Sequence, residues 1–204
     1  MKTKFLIVAC QNNLNFDYYK DYFIIGVERG CLDLIDKNIT IDLALADFDH
    51  VIAEELELIK SKAKETIVLN PEKDFLDGKE AINIAYQRGA QEILFIAKPT
   101  KRVDMNLSLI EICTKDKVTI LNDDSIMFLI SKGEFEIDFN RYQDYTYISL
   151  FPVHQTVIDI KGLKYEVENL SLLPHSTRAF SNCFDNQKNG FIKTDKPIIL
   201  IFNK

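Results

Sequence analysis

Up to about residue 123, the chain alternates short apolar runs with stretches of helical periodicity. The runs are rich in Ile, Leu, Val and Phe on both faces, which is typical of buried, mostly parallel strands. We predict strands at residues 4–9, 22–27, 41–46, 65–69, 91–97 and 117–121. Helical spacing of apolar residues predicts helices around residues 51–63, 81–86 and 107–112, and Gly89 stands where a helix C-cap is expected. This alternation predicts a layered α/β domain.

After residue 124 the helical periodicity disappears and short strand-like runs follow one another. They lie at residues 126–130, 135–139, 145–151, 156–160, 191–194 and 198–202, with Gly and Pro between them. Short strands separated by turn residues are typical of a small sandwich or barrel. We therefore predict two domains, residues 1–123 and 124–204.

Composition excludes several classes of protein. The chain has 204 residues, of which 47% are hydrophobic, enough for one large core or two small ones. A net charge of −6 argues against non-specific nucleic-acid binding, although one local basic cluster could serve a nucleotide. No segment approaches the roughly 20 apolar residues of a membrane span, and the apolar run near the start is too short for a secretion signal.

The four cysteines form no Cys-x-x-Cys pair, and the three histidines are far apart in sequence. A structural zinc site and a disulfide framework are therefore not expected. Free thiols suit a reducing compartment, so we expect a cytoplasmic protein.

Two aspartates, Asp47 and Asp49, follow the predicted strand 41–46. In extended backbone, residues i and i+2 point to the same side, and ligands bind at the carboxyl ends of strands in open α/β sheets. Carboxylates this close repel one another unless a cation offsets their charge, and a divalent ion shared with a phosphate ester is the usual solution. The alternative is that Asp49 caps a helix beginning at His50 and Asp47 is simply solvated.

A second charged segment contains Lys73, Asp74 and Asp77. The run 77–80 resembles a capping box, with Asp77 as the cap and Glu80 as its partner. That structural interpretation is compatible with a functional one, because a helix N-terminus also attracts phosphate. Lys73 could contact a phosphate or lie on the surface.

A third segment, residues 98–104, carries Lys98, Lys101 and Arg102 between a strand and a helix. Arg102 can hold phosphate oxygens in a bidentate manner. The alternative is a solvated basic loop with Asp104 as a helix cap. No Walker A or Gly-x-Gly-x-x-Gly pattern occurs, so a phosphate site here must be of another type.

Taken in order, these segments resemble the motifs of the thiamine pyrophosphokinases. Residues 41–50 resemble the signature PDxxxGDFDS, residues 73–77 resemble KDxTD, and residues 102–104 resemble the start of RxDH. Residues 26–30 resemble an altered xDGG turn. Residues 148–152, residues 162–165 and the pair Ser181–Asn182 resemble parts of the family's β domain.

The resemblance implies an α/β catalytic domain with a mostly parallel sheet, followed by a small all-β sandwich that binds thiamine, in a homodimer. The implied reaction converts ATP and thiamine to AMP and thiamine diphosphate with Mg²⁺. The metal ligands would be Glu28, Asp47, Asp49 and Asp77, of which the three aspartates would be catalytic. Contacts with ATP or its phosphates would come from Lys73, Asp74, Lys101, Arg102 and Asp104. Ser181 and Asn182 would touch thiamine.

The chain departs from the family pattern at several places. Ala46 and Arg29 replace glycines, and His50, Leu76 and Met105 replace Ser, Thr and His. The glycines expected before Arg102 are absent. These altered loops leave open a non-catalytic relative that binds thiamine or a nucleotide. A metal-dependent phosphohydrolase is a further alternative, because clustered aspartates also serve hydrolysis. The carboxylates are retained apart from the change of Asp to Glu at position 28, which favours an active enzyme.

Overall fold

The computed structural model describes residues 2–72 and 75–204. The chain divides into two compact units. The first contains the described residues up to Ile112 together with Ile120–Asp123, and the second contains Cys113–Thr119 and Asp124–Lys204.

The first unit is built on a parallel sheet. Its strands are β1 (Lys4–Val8), β2 (Phe23–Val27), β3 (Leu43–Ala46), β4 (Thr66–Val68), β5 (Glu92–Ile96) and β6 (Thr119–Leu121). Their order is β4-β3-β2-β1-β5-β6, and the pairs from β4 through to β5 are all parallel. On β1, residues 5–8 are almost completely buried, as apolar residues on both faces of an inner strand must be. The predicted fold class of this part is confirmed.

In the described part of this unit, four helices connect these strands: α1 (Gly30–Asp36), α2 (Ala53–Lys62), α3 (Asp77–Gln87) and α4 (Val103–Lys115). A 3-10 turn covers Phe16–Tyr19. On α3, Ala81, Ile82 and Ala85 form the buried stripe, and Gly89 ends the helix with a φ of 87°. Helix α1 was not predicted, because its seven residues are too few to show a clear period.

None of the three aspartates considered as a helix cap, Asp49, Asp77 and Asp104, is at the cap position. Helix α2 begins at Ala53, so Asp49 is not its cap, and the Glu55 carboxylate instead accepts a hydrogen bond from the Ile52 amide at 3.1 Å. Asp77 is the first residue of α3 rather than its cap. Asp104 lies within the first turn of α4. The structural explanation for Asp49 is thereby removed.

From Asp124 onward, the second unit is all-β apart from one short helix. Its elements are β7 (Ser125–Ile130), β8 (Gly133–Ile137), α5 (Phe139–Tyr142), β9 (Tyr147–Phe151), β10 (Thr156–Lys161), β11 (Val167–Leu172), β12 (Gly190–Thr194) and β13 (Ile198–Asn203). Strands β7-β13-β9 form one antiparallel arrangement and β11-β10-β12-β8 another. The buried side chains of both form one core, in which Tyr142 stacks on Phe202 with ring centroids 4.1 Å apart.

The sandwich prediction is confirmed for this unit, with two differences. Strand β11 was not predicted, and the strand predicted at 135–139 ends at Ile137. Asp138 then caps α5 by accepting hydrogen bonds from the amides of Asn140 and Arg141, which turns the chain out of the sheet. Within the described residues of both units, every helix is too short or too polar to cross a membrane.

Candidate active site

Among the described residues of the first unit, three carboxylates converge. Glu28 directly follows β2, Asp47 follows β3, and Asp77 begins α3. One carboxylate oxygen from each lies within 4.8 Å of the others. Strands β2 and β3 are parallel neighbours, so their carboxyl ends deliver Glu28 and Asp47 to the same edge of the sheet.

Asp49 belongs to a second, overlapping group. Its carboxylate, that of Glu28 and a ring nitrogen of His50 also lie within 4.8 Å of one another. Asp49 and His50 are exposed, and the Asp49 carboxylate pairs with His50 Nδ1. Glu28 is therefore the residue that the two groups share.

The expectation that extended backbone aligns Asp47 with Asp49 is wrong. Phe48 between them has a φ of 58°, in the left-handed region, and its side chain is buried. This turn directs Asp47 into the half-buried group with Glu28 and leaves Asp49 exposed. Glu28 itself has a φ of 50°. Left-handed backbone at two non-glycine residues beside one cluster is a strain typical of functional sites.

Electrostatics at Glu28 disfavour its charged form. Burial raises the pKa of its carboxyl, the nearby Phe48 amide offsets part of that rise, and the charges of Asp49, Asp47 and Asp77 raise the pKa further. Both Oε atoms are buried, and neither accepts a hydrogen bond of normal geometry from any described residue. A buried carboxylate with no donor is costly unless a cation binds it. Oxygen ligands at this spacing fit a hard divalent ion.

The carboxylates line a cleft of about 330 Å³ in the first unit. Lys98, Thr100 and Arg102 line it as well, together with apolar side chains such as Phe95 and Leu109. An acidic cluster and a basic loop in one cleft can hold a polyphosphate through a cation on one part and direct charge contacts on another.

The basic loop, residues 98–102, does not need the glycines that the family pattern has there. None of these residues has a positive φ. Lys98 pairs with Asp123 at 2.7 Å, and Arg102 pairs with Asp104 at 2.5 Å. The pair with Asp104 raises the pKa of Arg102. The loop therefore carries the positively charged side chains of Lys98 and Arg102, each held by an ion pair, on backbone that does not require glycine.

At residues 26–30, the structure explains which glycine the turn retains. A Cβ on Gly30 would lie 2.0 Å from the carbonyl oxygen of Val8, so no side chain fits there. Arg29 has right-handed helical backbone, with a φ of −63°, and tolerates a side chain. Replacement of the first glycine by Arg29 thus leaves the turn intact.

The other predicted site residues are distributed as follows. Lys101 and Asp104 are exposed and do not line the cleft among the described residues. Lys73 and Asp74 lie outside the described residues. Cys10 and Asn106 line the cleft but were not predicted, because their only sequence signal is position beside a strand end or within a helix.

In the second unit, Ser181 and Asn182 differ in solvent exposure and in their hydrogen bonds. Ser181 is exposed, has a φ of 58° and donates its amide to Ser149 Oγ at 3.1 Å. Asn182 is buried, and its amide group is used internally: Oδ1 accepts from the amides of Tyr165 and Cys183, and Nδ2 donates to the Tyr165 carbonyl. Asn182 thus orders the segment that presents Ser181.

Comparison with known families explains this combination of features. The family model described as "Thiamin pyrophosphokinase, catalytic domain" matches residues 18–121, which is more than half of the chain. The chain belongs to the thiamin pyrophosphokinase family. A second model, "Thiamin pyrophosphokinase, vitamin B1 binding domain", matches residues 134–199. The predicted family and enzyme class, a thiamine diphosphokinase, are therefore confirmed.

This chain is similar to individual thiamin pyrophosphokinases over nearly the whole of its own length. The thiamine pyrophosphokinase of Bacillus subtilis is 25% identical over 212 aligned residues, covering 98% of both chains. Its crystal structure superposes with a TM-score of 0.83 at 22% identity, covering 98% of this chain and 99% of that one. A thiamin pyrophosphokinase family protein from Enterococcus faecalis gives a TM-score of 0.85 at 21% identity, covering 100% and 99%. The Candida albicans enzyme gives 0.81 at 16% identity, covering 99% and 89%. These structures support the fold.

Proposed function

We propose that the chain transfers a diphosphoryl group from ATP to the hydroxyl of thiamine and releases AMP. Family membership supports the synthesis of thiamine diphosphate by pyrophosphoryl transfer. The observation that carries the finer proposal is the group of Glu28, Asp47 and Asp77, whose ligand atoms lie within 4.8 Å in a cleft that also contains Lys98 and Arg102. This arrangement suits a polyphosphate with a bound cation.

The residues present fit Mg²⁺. Glu28, Asp47 and Asp77 offer only oxygen ligands, and the buried Glu28 oxygens accept no hydrogen bond of normal geometry from the described residues. We propose that these three residues hold the ion, with Asp49 at the exposed side. When bound, Mg²⁺ would neutralise charge on the phosphate oxygens of ATP. Lys98, Arg102 and the proposed contacts Lys73, Asp74, Lys101 and Asp104 would orient the nucleotide.

The transfer forms one bond and breaks one. The thiamine hydroxyl oxygen bonds to the β-phosphorus, while the bond from that phosphorus to the bridging oxygen breaks and AMP leaves with that oxygen. Because this is an in-line displacement, the protein contributes mainly position and charge complementarity. The hydroxyl proton passes to a carboxylate, for which we propose Asp49, since it is exposed at the cleft.

The second unit would supply the thiamine contacts. The matched vitamin B1 binding model at residues 134–199 supports this division of labour. Ser181 would contact thiamine through its exposed hydroxyl, and Asn182 would hold Ser181 in place. We also propose a homodimer, as the family resemblance implies, and a cytoplasmic location, which the four free cysteines suit.

One product assay tests the proposal. Purified protein incubated with ATP, thiamine and Mg²⁺ is expected to form AMP and thiamine diphosphate in equal amounts, measured by chromatography, and EDTA is expected to stop both. Absence of AMP from folded protein would overturn the proposal. Binding without turnover, measured by calorimetry, would select the non-catalytic alternative. Inorganic phosphate released without thiamine would select the phosphohydrolase.

A further inference from the structure

We propose that Asn106 is a positioning residue that holds the basic loop, residues 98–102, in the conformation that binds the nucleotide phosphates. This inference rests on the proposed function. Asn106 lies in the first turn of α4, after the loop, and lines the same cleft as Lys98 and Arg102. No motif in the sequence singles it out.

The contact between Asn106 and the loop is two-sided. The Thr100 amide donates to Asn106 Oδ1 at 2.8 Å, and Asn106 Nδ2 donates to the Thr100 carbonyl at 2.9 Å. Because one partner is a donor and the other an acceptor, the orientation of the side-chain amide is fixed. One side chain thus binds both main-chain polar groups of the residue at the centre of the loop.

Thr100 continues this hydrogen-bond network to Arg102. Its hydroxyl accepts a hydrogen bond from the Arg102 amide at 3.1 Å and donates to the Arg102 carbonyl at 3.2 Å. The Arg102 carbonyl also accepts from the Asn106 amide at 3.3 Å, at the start of α4. Asn106, Thr100 and Arg102 therefore form a closed set of bonds that sets where the Arg102 side chain leaves the main chain.

These hydrogen bonds take the place of the main-chain freedom that glycines would give the loop. A glycine-rich loop adapts to phosphate by main-chain freedom, whereas residues 98–102 carry side chains and have no positive φ. A loop of this kind must be held in its binding shape beforehand, because ordering it during binding would weaken affinity. Asn106 is the side chain that makes these contacts to the loop from the helix, so its removal should affect nucleotide binding before it affects chemistry.

The test compares Asn106→Ala with Asn83→Ala. Asn83 is also a helical asparagine, exposed on α3, with a single side-chain bond to Glu80 at 3.1 Å, and it does not line the cleft. For Asn106→Ala we expect the KM for ATP and the Kd of a non-hydrolysable ATP analogue to rise about tenfold, as loss of two hydrogen bonds implies. We expect kcat at saturating ATP to change less than about threefold, and the KM for thiamine to stay unchanged.

Two further measurements separate positioning from general stability. Hydrogen exchange should show faster exchange in the segment containing Thr100 for Asn106→Ala and no change there for Asn83→Ala. Asn106→Asp keeps the acceptor for the Thr100 amide but loses the donor, so its loop protection should lie between wild type and Asn106→Ala. It also serves as the test variant if Asn106→Ala does not fold.

The inference is overturned if folded Asn106→Ala keeps wild-type loop protection and analogue affinity, or if kcat falls while the KM for ATP is unchanged. These outcomes are distinct from failure of the proposed function. If the wild type formed no thiamine diphosphate, loop protection and analogue binding would still decide the role of Asn106.

Discussion

Arg29 Nη1 donates a hydrogen bond to the main-chain carbonyl of His50 at 3.1 Å. The same nitrogen approaches Glu55 Oε2 at 3.4 Å, and Glu55 in turn accepts from the Ile52 amide. Arg29 therefore links the turn that carries Glu28 to the loop that carries Asp47 and Asp49. Arg29, which stands where the family pattern has a glycine, thus connects the two acidic segments through its side chain.

Removing the Arg29 side-chain contacts should weaken cation binding at the carboxylate group modestly. For Arg29→Met we expect the Kd of Mn²⁺, used as a spectroscopic probe of the carboxylate group, to rise about threefold, because exposed charged contacts are worth at most about 1 kcal/mol. Electron paramagnetic resonance measures free Mn²⁺ directly. Lys60→Met, which breaks an exposed pair with Glu57 on α2, is the matched control and should leave the Kd unchanged. Equal affinities in both variants would show that Arg29 does not order the site.

Asp47→Asn should abolish turnover without unfolding the protein. The substitution removes one charged ligand from the half-buried carboxylate group, and loss of such charge stabilisation costs about a thousandfold or more in rate. The assay is formation of thiamine diphosphate, with circular dichroism to verify the fold. Asp36→Asn, on the exposed side of α1, is the control and should retain full activity. Near-wild-type turnover by Asp47→Asn would remove this residue from the proposed site.

Glu28→Gln should make the metal-free protein more stable. The substitution relieves the burial cost of the Glu28 charge and its repulsion by Asp47, Asp49 and Asp77. With EDTA present, we expect Tm to rise by about 2–4 °C, the shift that about 1 kcal/mol produces in a chain of this size.

The same variant should lose the gain in Tm that Mg²⁺ gives the wild type, because a ligand that binds only the folded state stabilises it. Differential scanning fluorimetry with and without Mg²⁺ measures both effects. Glu54→Gln, exposed at the start of α2, should behave as wild type. A Glu28→Gln variant that is less stable in EDTA, yet still stabilised by Mg²⁺, would contradict the proposed role of Glu28.

Asp42 should give the stability of the first unit a dependence on acid pH. Burial acts to raise the pKa of its carboxyl, but hydrogen bonds from Lys64 at 2.6 Å and the Ile24 amide at 3.0 Å, with the charge of Lys2, outweigh burial and lower the pKa. A lowered folded-state pKa contributes stability above the unfolded value of about 4, which is lost as pH falls through the folded value.

For Asp42→Asn we therefore expect the free energy of unfolding at pH 7 to fall by about 1–2 kcal/mol. The difference from wild type should begin to shrink below about pH 4, the unfolded-state value, and disappear as pH falls through the lower folded-state pKa, where the folded wild-type carboxylate becomes protonated. Urea denaturation at pH 7, 5 and 3 provides the measurement, with exposed Asp21→Asn as control. A difference that stays constant down to pH 3 would mean that the Asp42 charge does not stabilise the fold.

Local patterns predicted most of the strands and the class of both units. Apolar runs such as residues 5–8 have no polar face, so their burial in a parallel sheet follows from sequence alone. Helix α1 was missed because it has only seven residues, and strand β11 was missed because polar and apolar residues alternate only weakly along it. Ends of elements were also shifted, since caps such as Glu55 depend on side-chain contacts that spacing does not reveal.

The acidic positions of the candidate site were predictable, but their grouping was not. Asp47 and Asp49 are only two residues apart in sequence, yet the left-handed backbone at Phe48 between them separates their environments. Glu28 carries little signal of its own and becomes central only because β2 and β3 are parallel neighbours. The contact from Asn106 to Thr100 spans six residues and links a helix to a loop, so no motif could have predicted it.

The backbone at Glu28 makes this position a place where selection for stability and selection for turnover should diverge. With a φ of 50°, it has the conformation that Gly or Asn adopts most easily. A library randomised at this codon and screened only for thermal resistance should accumulate those two residues. The same library screened for thiamine diphosphate formation should return acidic residues despite their conformational cost.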